Sequence, residues 1–175
     1  MRVINAPQEY ESFAEITCFM AGGMGNTEWH ERFMHQLQKY KTPDLVIYNP
    51  YNANITSTFS QIQWEFKYLE ACNIFSIYFD KYTDQPISMY ELGCMLIKAQ
   101  TNEIQIVHNG NLLGTLPQGG IPCVISMHEE APKKEEIKIQ CGLRHQLAVV
   151  RTPEQHADAV YKQYLLLKGE INETR

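Results

Sequence analysis

Ile74-Phe75-Ser76-Ile77-Tyr78-Phe79 runs into a polar stretch, Asp80-Lys81-Tyr82-Thr83-Asp84-Gln85-Pro86-Ile87, and then into Leu92, Met95, Leu96 and Ala99 at helical spacing. A short aromatic and β-branched run followed by one apolar stripe of period 3.6 predicts a strand, a loop and a helix laid on a sheet. The same alternation recurs outward in both directions, with strands predicted over Ile16 to Met20, Leu45 to Tyr48, Pro122 to Met127 and Leu147 to Val150. Between them, Trp29, Phe33 and Leu37 mark one helix and Ile62, Phe66 and Leu69 another. Thr152-Pro153-Glu154-Gln155 opens the last helix with a cap and a first-turn proline, leaving Val160, Tyr161, Tyr164 and Leu167 as its buried face. These elements predict an α/β fold: a single flavodoxin-like or Rossmann-like domain with about five parallel strands and helices on both faces. One domain spans residues 1–175, with a core at about 16–168. A hairpin around Asn109-Gly110 is predicted as an insertion over 104–120.

Composition narrows the function. The 175 residues carry 15 Lys plus Arg against 20 Asp plus Glu, a formal net charge of −5, and no basic block longer than a pair. That argues against a nucleic-acid polymer or a membrane surface as partner and leaves a small ligand open. The five cysteines sit in apolar runs without a CxxC pair, as reduced thiols of a cytoplasmic protein do. The N-terminus has too short an apolar core for a signal peptide, so Asn54-Ile55-Thr56 and Asn172-Glu173-Thr174 are chance matches to a glycosylation triplet.

In a parallel sheet ligands bind beyond the carboxyl ends of the strands. The segments to examine are therefore Ala21 to Thr27, Asn49 to Asn52 and Asp80 to Glu91. Gly22-Gly23-Met24-Gly25 matches neither the dinucleotide nor the phosphate-loop fingerprint, and its glycines serve tight geometry as readily as a ligand. His30 and His35 are five apart, about 140° around a helix, so they form no zinc pair and read as surface residues; no metal site and no cofactor are expected. Glu65 sits at the margin of its helix's apolar stripe, where a rim salt bridge competes with a functional role. Ser88-Met89-Tyr90-Glu91 has the form of a capping box, which alone would account for Glu91. The same position puts that carboxylate in the positive end of a helix dipole, which lowers its pKa and keeps it ionised, as a nucleophile requires.

Phe19-Met20-Ala21-Gly22-Gly23 with Trp29, then Asn49-Pro50, Gln61-Ile62-Gln63-Trp64-Glu65 and Pro86-Ile87-Ser88-Met89-Tyr90-Glu91-Leu92-Gly93 occur in one order at suitable spacing. Together with the stretch from Met127 to Gln140, this order resembles the nucleoside 2-deoxyribosyltransferase-like family over about residues 16 to 160. The resemblance implies a flavodoxin-like domain that cleaves the N-glycosidic bond of a (deoxy)nucleoside or its monophosphate without a cofactor, in a homo-oligomer with shared pockets. It implies Glu91 as the nucleophile at C1′, and Glu65, in place of a family Asp, as the group that positions the sugar and handles the leaving base's proton. Gly22, Gly23 and Met24 would wall the pocket, and Asp84, Ser88 and Tyr90 would contact the substrate, with Ser88 as a simple N-cap the competing reading. Trp64 and Tyr78 would stack on the base unless they fill core. Lys133 and Lys134 read as a solvated loop, with reach to a 5′-phosphate the alternative.

The insertion departs from the family pattern. So does the C-terminal Glu170 to Arg175, which lacks the terminal aromatic found in transferases acting on free nucleosides; this shifts the expectation from base exchange toward hydrolysis of a nucleotide. Two competing functions follow: a catalytically silent nucleotide-binding module, which would be stabilised by nucleotide without forming product, and cleavage of a dinucleotide's nicotinamide bond, disfavoured by the missing fingerprint.

Overall fold

The computed structural model describes residues 1–11, 14–25, 27–51, 57–99, 106–108, 111–113, 121–142 and 152–171. Its strands are β1 (Arg2–Asn5), β2 (Ile16–Gly22), β3 (Leu45–Asn49), β4 (Ile74–Phe79), β5 (Ile106–His108), β6 (Asn111–Leu113) and β7 (Cys123–Met127). Its helices are α1 (Glu28–Gln38), α2 (Thr58–Ala71), α3 (Pro86–Ala99), α4 (Lys134–Gly142) and α5 (Pro153–Lys168). Five strands form an all-parallel core in the order β1-β3-β2-β4-β7. The order β3-β2-β4-β7 is the start of a flavodoxin-like sheet, with β1 added beyond β3.

Side-chain contacts assign the two faces. Phe19 and Tyr48, paired across β2 and β3, both meet Trp64 of α2. Ser76 and Ser126, on the opposite face, both meet His156 of α5, whose ring also lies against Phe33 of α1. Helices thus cover both faces, and the central strands read as continuous apolar runs because neither face meets water. His156 is fully buried, with Nε2 2.7 Å from Ser76 Oγ and Nδ1 2.6 Å from Ser126 Oγ. Burial holds it neutral and lowers its pKa to about 3.

The structure corrects several expectations. Arg2–Asn5 is a parallel strand the pattern did not show, a four-residue edge strand too short to show a period, while the strand predicted at Leu147 to Val150 lies outside the described residues. The hairpin is part of the sheet, since β5 and β6 are antiparallel and β5 pairs in parallel with β7. On α2 the buried face is Trp64, Glu65, Tyr68 and Leu69, whereas Ile62 and Phe66 are 44% and 47% exposed. The two aromatic rings against Phe19 and Tyr48 win the sheet-facing side, which turns Ile62 and Phe66 outward. On α5 Leu167 is 39% exposed, and on α1 His30 is buried rather than on the surface. Its ring lies 3.9 Å from that of Trp29, and burial lowers its pKa to about 4. The cap at Thr152 forms as expected, accepting from Gln155 N at 3.3 Å.

Candidate active site

The chain leaves β2 through α1 to β3 on one side, while β4 lies on the other, so the carboxyl end of β2 is the point where strand order reverses. A cleft of about 430 Å³ opens there. The turn from Ala21 to Gly25, Pro50, the Thr83 to Gln85 loop with the first turn of α3, and Gln61, Glu65 and Glu91 from α2 and α3 line it. A second opening of about 340 Å³ continues between α2 and α3, walled by Phe66, Leu69, Tyr90 and Met95. Both share Ile62, Glu65, Ile87 and Glu91, so the two carboxyl groups stand where the openings meet.

The glycines are imposed by packing. A Cβ on Gly22 would lie 2.5 Å from the Trp29 ring and 2.6 Å from the Tyr78 carbonyl oxygen. One on Gly23 would lie 2.6 Å from Thr83 Oγ1, 2.8 Å from Asp80 Oδ2 and 2.9 Å from Gln85 Cδ. The turn is closed further by Trp29 Nε1 donating to the Gly23 carbonyl at 2.8 Å. Asp80 braces the facing loop, its Oδ1 accepting from Tyr82 N at 2.7 Å and Thr83 N at 3.1 Å.

Helix α3 begins at Pro86, three residues before the sequence pattern suggests, with Met89 N donating to the Gln85 carbonyl in the first turn. Proline supplies the φ of a first helical residue and has no N–H to satisfy there. Ser88 is therefore not the N-cap, and Glu91 stands in the second turn, beyond reach of a capping box. Glu91 is 7% exposed. Its pKa is not lowered by the helix dipole but raised to about 8, chiefly by burial and then by the charge of Glu65. Glu65, 8% exposed, is also shifted upward by burial. The Gln61 amide opposes that shift by donating from Nε2 to Glu65 Oε1 at 2.9 Å. Among the described residues no Lys, Arg or His lines either opening.

Of the residues singled out in the sequence, Gly22, Gly23, Met24, Glu65, Asp84, Ser88 and Glu91 line the cleft together. Tyr90 faces the groove between the helices instead. Trp64 is core: its indole donates to the Gln8 carbonyl at 2.8 Å and it lines neither opening. Tyr78 is likewise buried, against Trp29 and His156. Lys134 donates to the Glu129 carbonyl at 2.9 Å, and neither it nor Lys133 lines the cleft. Sequence reasoning missed Gln61 and Gln85. Gln85 lies in the cleft wall with both amide atoms buried and without a partner among the described residues. Its place directly before a helix-opening proline was the available signal. The described residues contain no cluster of three or more metal-ligating side chains and no helix long and apolar enough to cross a membrane.

A flavodoxin-like α/β domain with two acidic side chains at its switch point defines the class. Residues 15–110, more than half of the chain, match the model of the nucleoside 2-deoxyribosyltransferase-like family, and the protein belongs to that family. No curated protein matches it. A crystal structure of a conserved protein from Enterococcus faecalis V583 is similar, with a TM-score of 0.53 at 12% identity, covering 86% of this chain and 99% of that one. At that identity the likeness speaks for the fold.

Proposed function

We propose that the protein cleaves the N-glycosidic bond of a (deoxy)nucleoside or nucleoside monophosphate, with Glu91 as nucleophile and Glu65 as the acid and base. The observation that carries this reading is the pairing of two buried carboxyl groups in one cleft, with no cation beside them among the described lining residues. Two such groups do not both ionise readily near neutral pH, so the pair retains one proton. One carboxylate and one carboxylic acid is the complement that retaining glycoside cleavage uses.

In the first half-reaction the Glu91 carboxylate bonds to C1′ as the bond from C1′ to the base nitrogen breaks. Glu65 gives its proton to the departing base and becomes a carboxylate. In the second, Glu65 takes a proton from water as the oxygen attacks C1′, and the ester to Glu91 breaks, which restores both groups. A second base in place of water completes a transfer instead. Asp84 and Gln85 from the loop before α3 and Ser88 from its first turn, with the Gly22 to Met24 turn opposite, are the groups we assign to the sugar and its substituents.

Purified protein incubated with nucleosides and their monophosphates, with and without a competing base, tests this by chromatography of released base. Release that is abolished in Glu91→Gln supports it; no release from any substrate, or an unchanged rate in Glu91→Gln, refutes it. Thermal stabilisation by nucleotide without product would favour a silent binding module. We further propose a homo-oligomer joined through the exposed Phe59, Ile62, Phe66, Ile87 and Tyr90 on α2 and α3, large apolar side chains that association would remove from water. Cysteines that form no disulfide among the described residues suit a cytoplasmic protein.

A further inference from the structure

We propose that Gln61 is a positioning residue that decides which of the two buried carboxyl groups carries their shared proton, holding Glu65 as the anion in the empty site and leaving the proton on Glu91. The inference rests on the reading of this pair as the reaction centre.

The Gln61 side-chain nitrogen faces two acceptors. It donates to Glu65 Oε1 at 2.9 Å and lies 4.0 Å from Met24 Sδ. A thioether sulfur only accepts, and so does an ionised carboxylate, so both neighbours call for the NH₂ end of the amide. Turned the other way, the amide oxygen would face a sulfur lone pair and would need a hydroxyl on Glu65. A neutral Glu65 accepts the same bond through its carbonyl oxygen only more weakly, so the observed orientation favours the ionised form. Among the described residues no donor to Glu91 offsets its burial and the charge of Glu65. The other titratable groups facing the pair are Asp84 before α3, Tyr90 and Cys94 on α3 and Glu70 on α2, none of them a cation.

Attack at C1′ requires the opposite tautomer, with Glu91 ionised and Glu65 protonated. The proton must pass from Glu91 to Glu65, leaving the pair's net charge unchanged, and the Gln61 amide must turn away or give a weaker bond to the acid's carbonyl oxygen, so that the new Glu65 hydroxyl is free for the base. Met24 lines the cleft beside Gln61. A substrate that displaces the Met24 sulfur removes the contact that opposes this turn, which links filling of the cleft to arming of the nucleophile.

The test is a carbon-13 NMR titration of the glutamate carboxyl groups in the full chain. Signals are assigned through Glu65→Gln and Glu91→Gln, and kcat/KM is followed across pH in parallel. In the unsubstituted protein Glu65 should ionise at lower pH than Glu91. Gln61→Met removes the donor at similar length and should raise the Glu65 midpoint by about one pH unit, a tenfold change in its ionisation. Gln61→Lys should lower it instead, and the acid limb of kcat/KM should follow in both directions. A purely packing role would change rates without moving these midpoints. The proposal is overturned if Glu91 ionises first, or if the Glu65 midpoint stays fixed in whichever variants fold. Because the titration needs no turnover, shifted midpoints without base release would sink the glycosidic reading alone, while base release with fixed midpoints would sink only the role of Gln61.

Discussion

Replacing Glu91 by Gln should make the protein more stable at neutral pH while abolishing the proposed reaction. In the folded protein burial and Glu65 raise the Glu91 pKa to about 8, whereas in the unfolded chain the group titrates at its ordinary 4.5. A carboxyl whose folded pKa is raised holds its proton longer in the folded state, so stability falls as pH rises from 4.5 toward 8. At pH 7 the unfolded chain has released the proton and the folded one has mostly kept it, a difference of about 3 kcal/mol. Glutamine has nearly the same shape and no charge, so it avoids this cost. The stability gap between Glu91→Gln and the unsubstituted protein should be near zero at pH 4 and open to about 3 kcal/mol at pH 7. With a urea dependence of about 2 kcal/mol per molar, the midpoint at pH 7 should rise by about 1.5 M. Urea unfolding followed by tryptophan fluorescence at pH 4, 5.5 and 7 reads the gap directly. A variant that is less stable at pH 7, or a gap that does not change with pH, would refute the reasoning. An active-site group that weakens the fold is the pattern expected where function sets the residue.

Three further outcomes are expected. His156, whose folded pKa near 3 lies below its ordinary 6.5, should make the protein lose stability as pH falls through that window, by about 2 kcal/mol at pH 5; chemical denaturation of the unsubstituted protein and His156→Asn across pH checks this. Gly23→Ala should destabilise by about 1 to 3 kcal/mol, because the new methyl meets Thr83, Asp80 and Gln85 at under 3 Å; thermal unfolding measures it, and an unchanged Tm would contradict the crowding. Phe66→Glu should dissociate the proposed oligomer with little loss of protomer stability, since the ring is half exposed; light scattering with circular dichroism decides the matter.

Much of the site could be read locally. The turn at Gly22 to Met24 and the loop before α3 could be singled out because they follow strands, whereas the roles expected of Glu65 and Glu91 came only from the family resemblance. What misled was helix phase. On α2 the pattern of Ile62, Phe66 and Leu69 has the right period, but Trp64 and Tyr68 bury more surface and rotate the helix toward themselves. On α3 a serine four residues before Leu92 resembles a cap, yet Pro86 had already started the helix. These are contests between comparable local signals, and packing against the sheet decides them. Gln61 was invisible for a related reason, since an amide on a helix has no meaning until its neighbour and the sulfur of a distant turn are in place.

Sequence alone determined the alternation of buried strands and amphipathic helices, and with it the parallel sheet and the end of that sheet where the candidate cleft opens. Those follow from period and composition, which are properties of short stretches. Only the tertiary structure decided the state of the carboxyl pair. Alone on its helix and open to water, Glu91 would titrate as an ordinary carboxylate. Buried against Glu65 without a neighbouring cation among the described residues, it holds its proton to about pH 8. Desolvation and charge repulsion depend on what the rest of the chain brings within a few ångströms, and no local stretch of sequence contains that information.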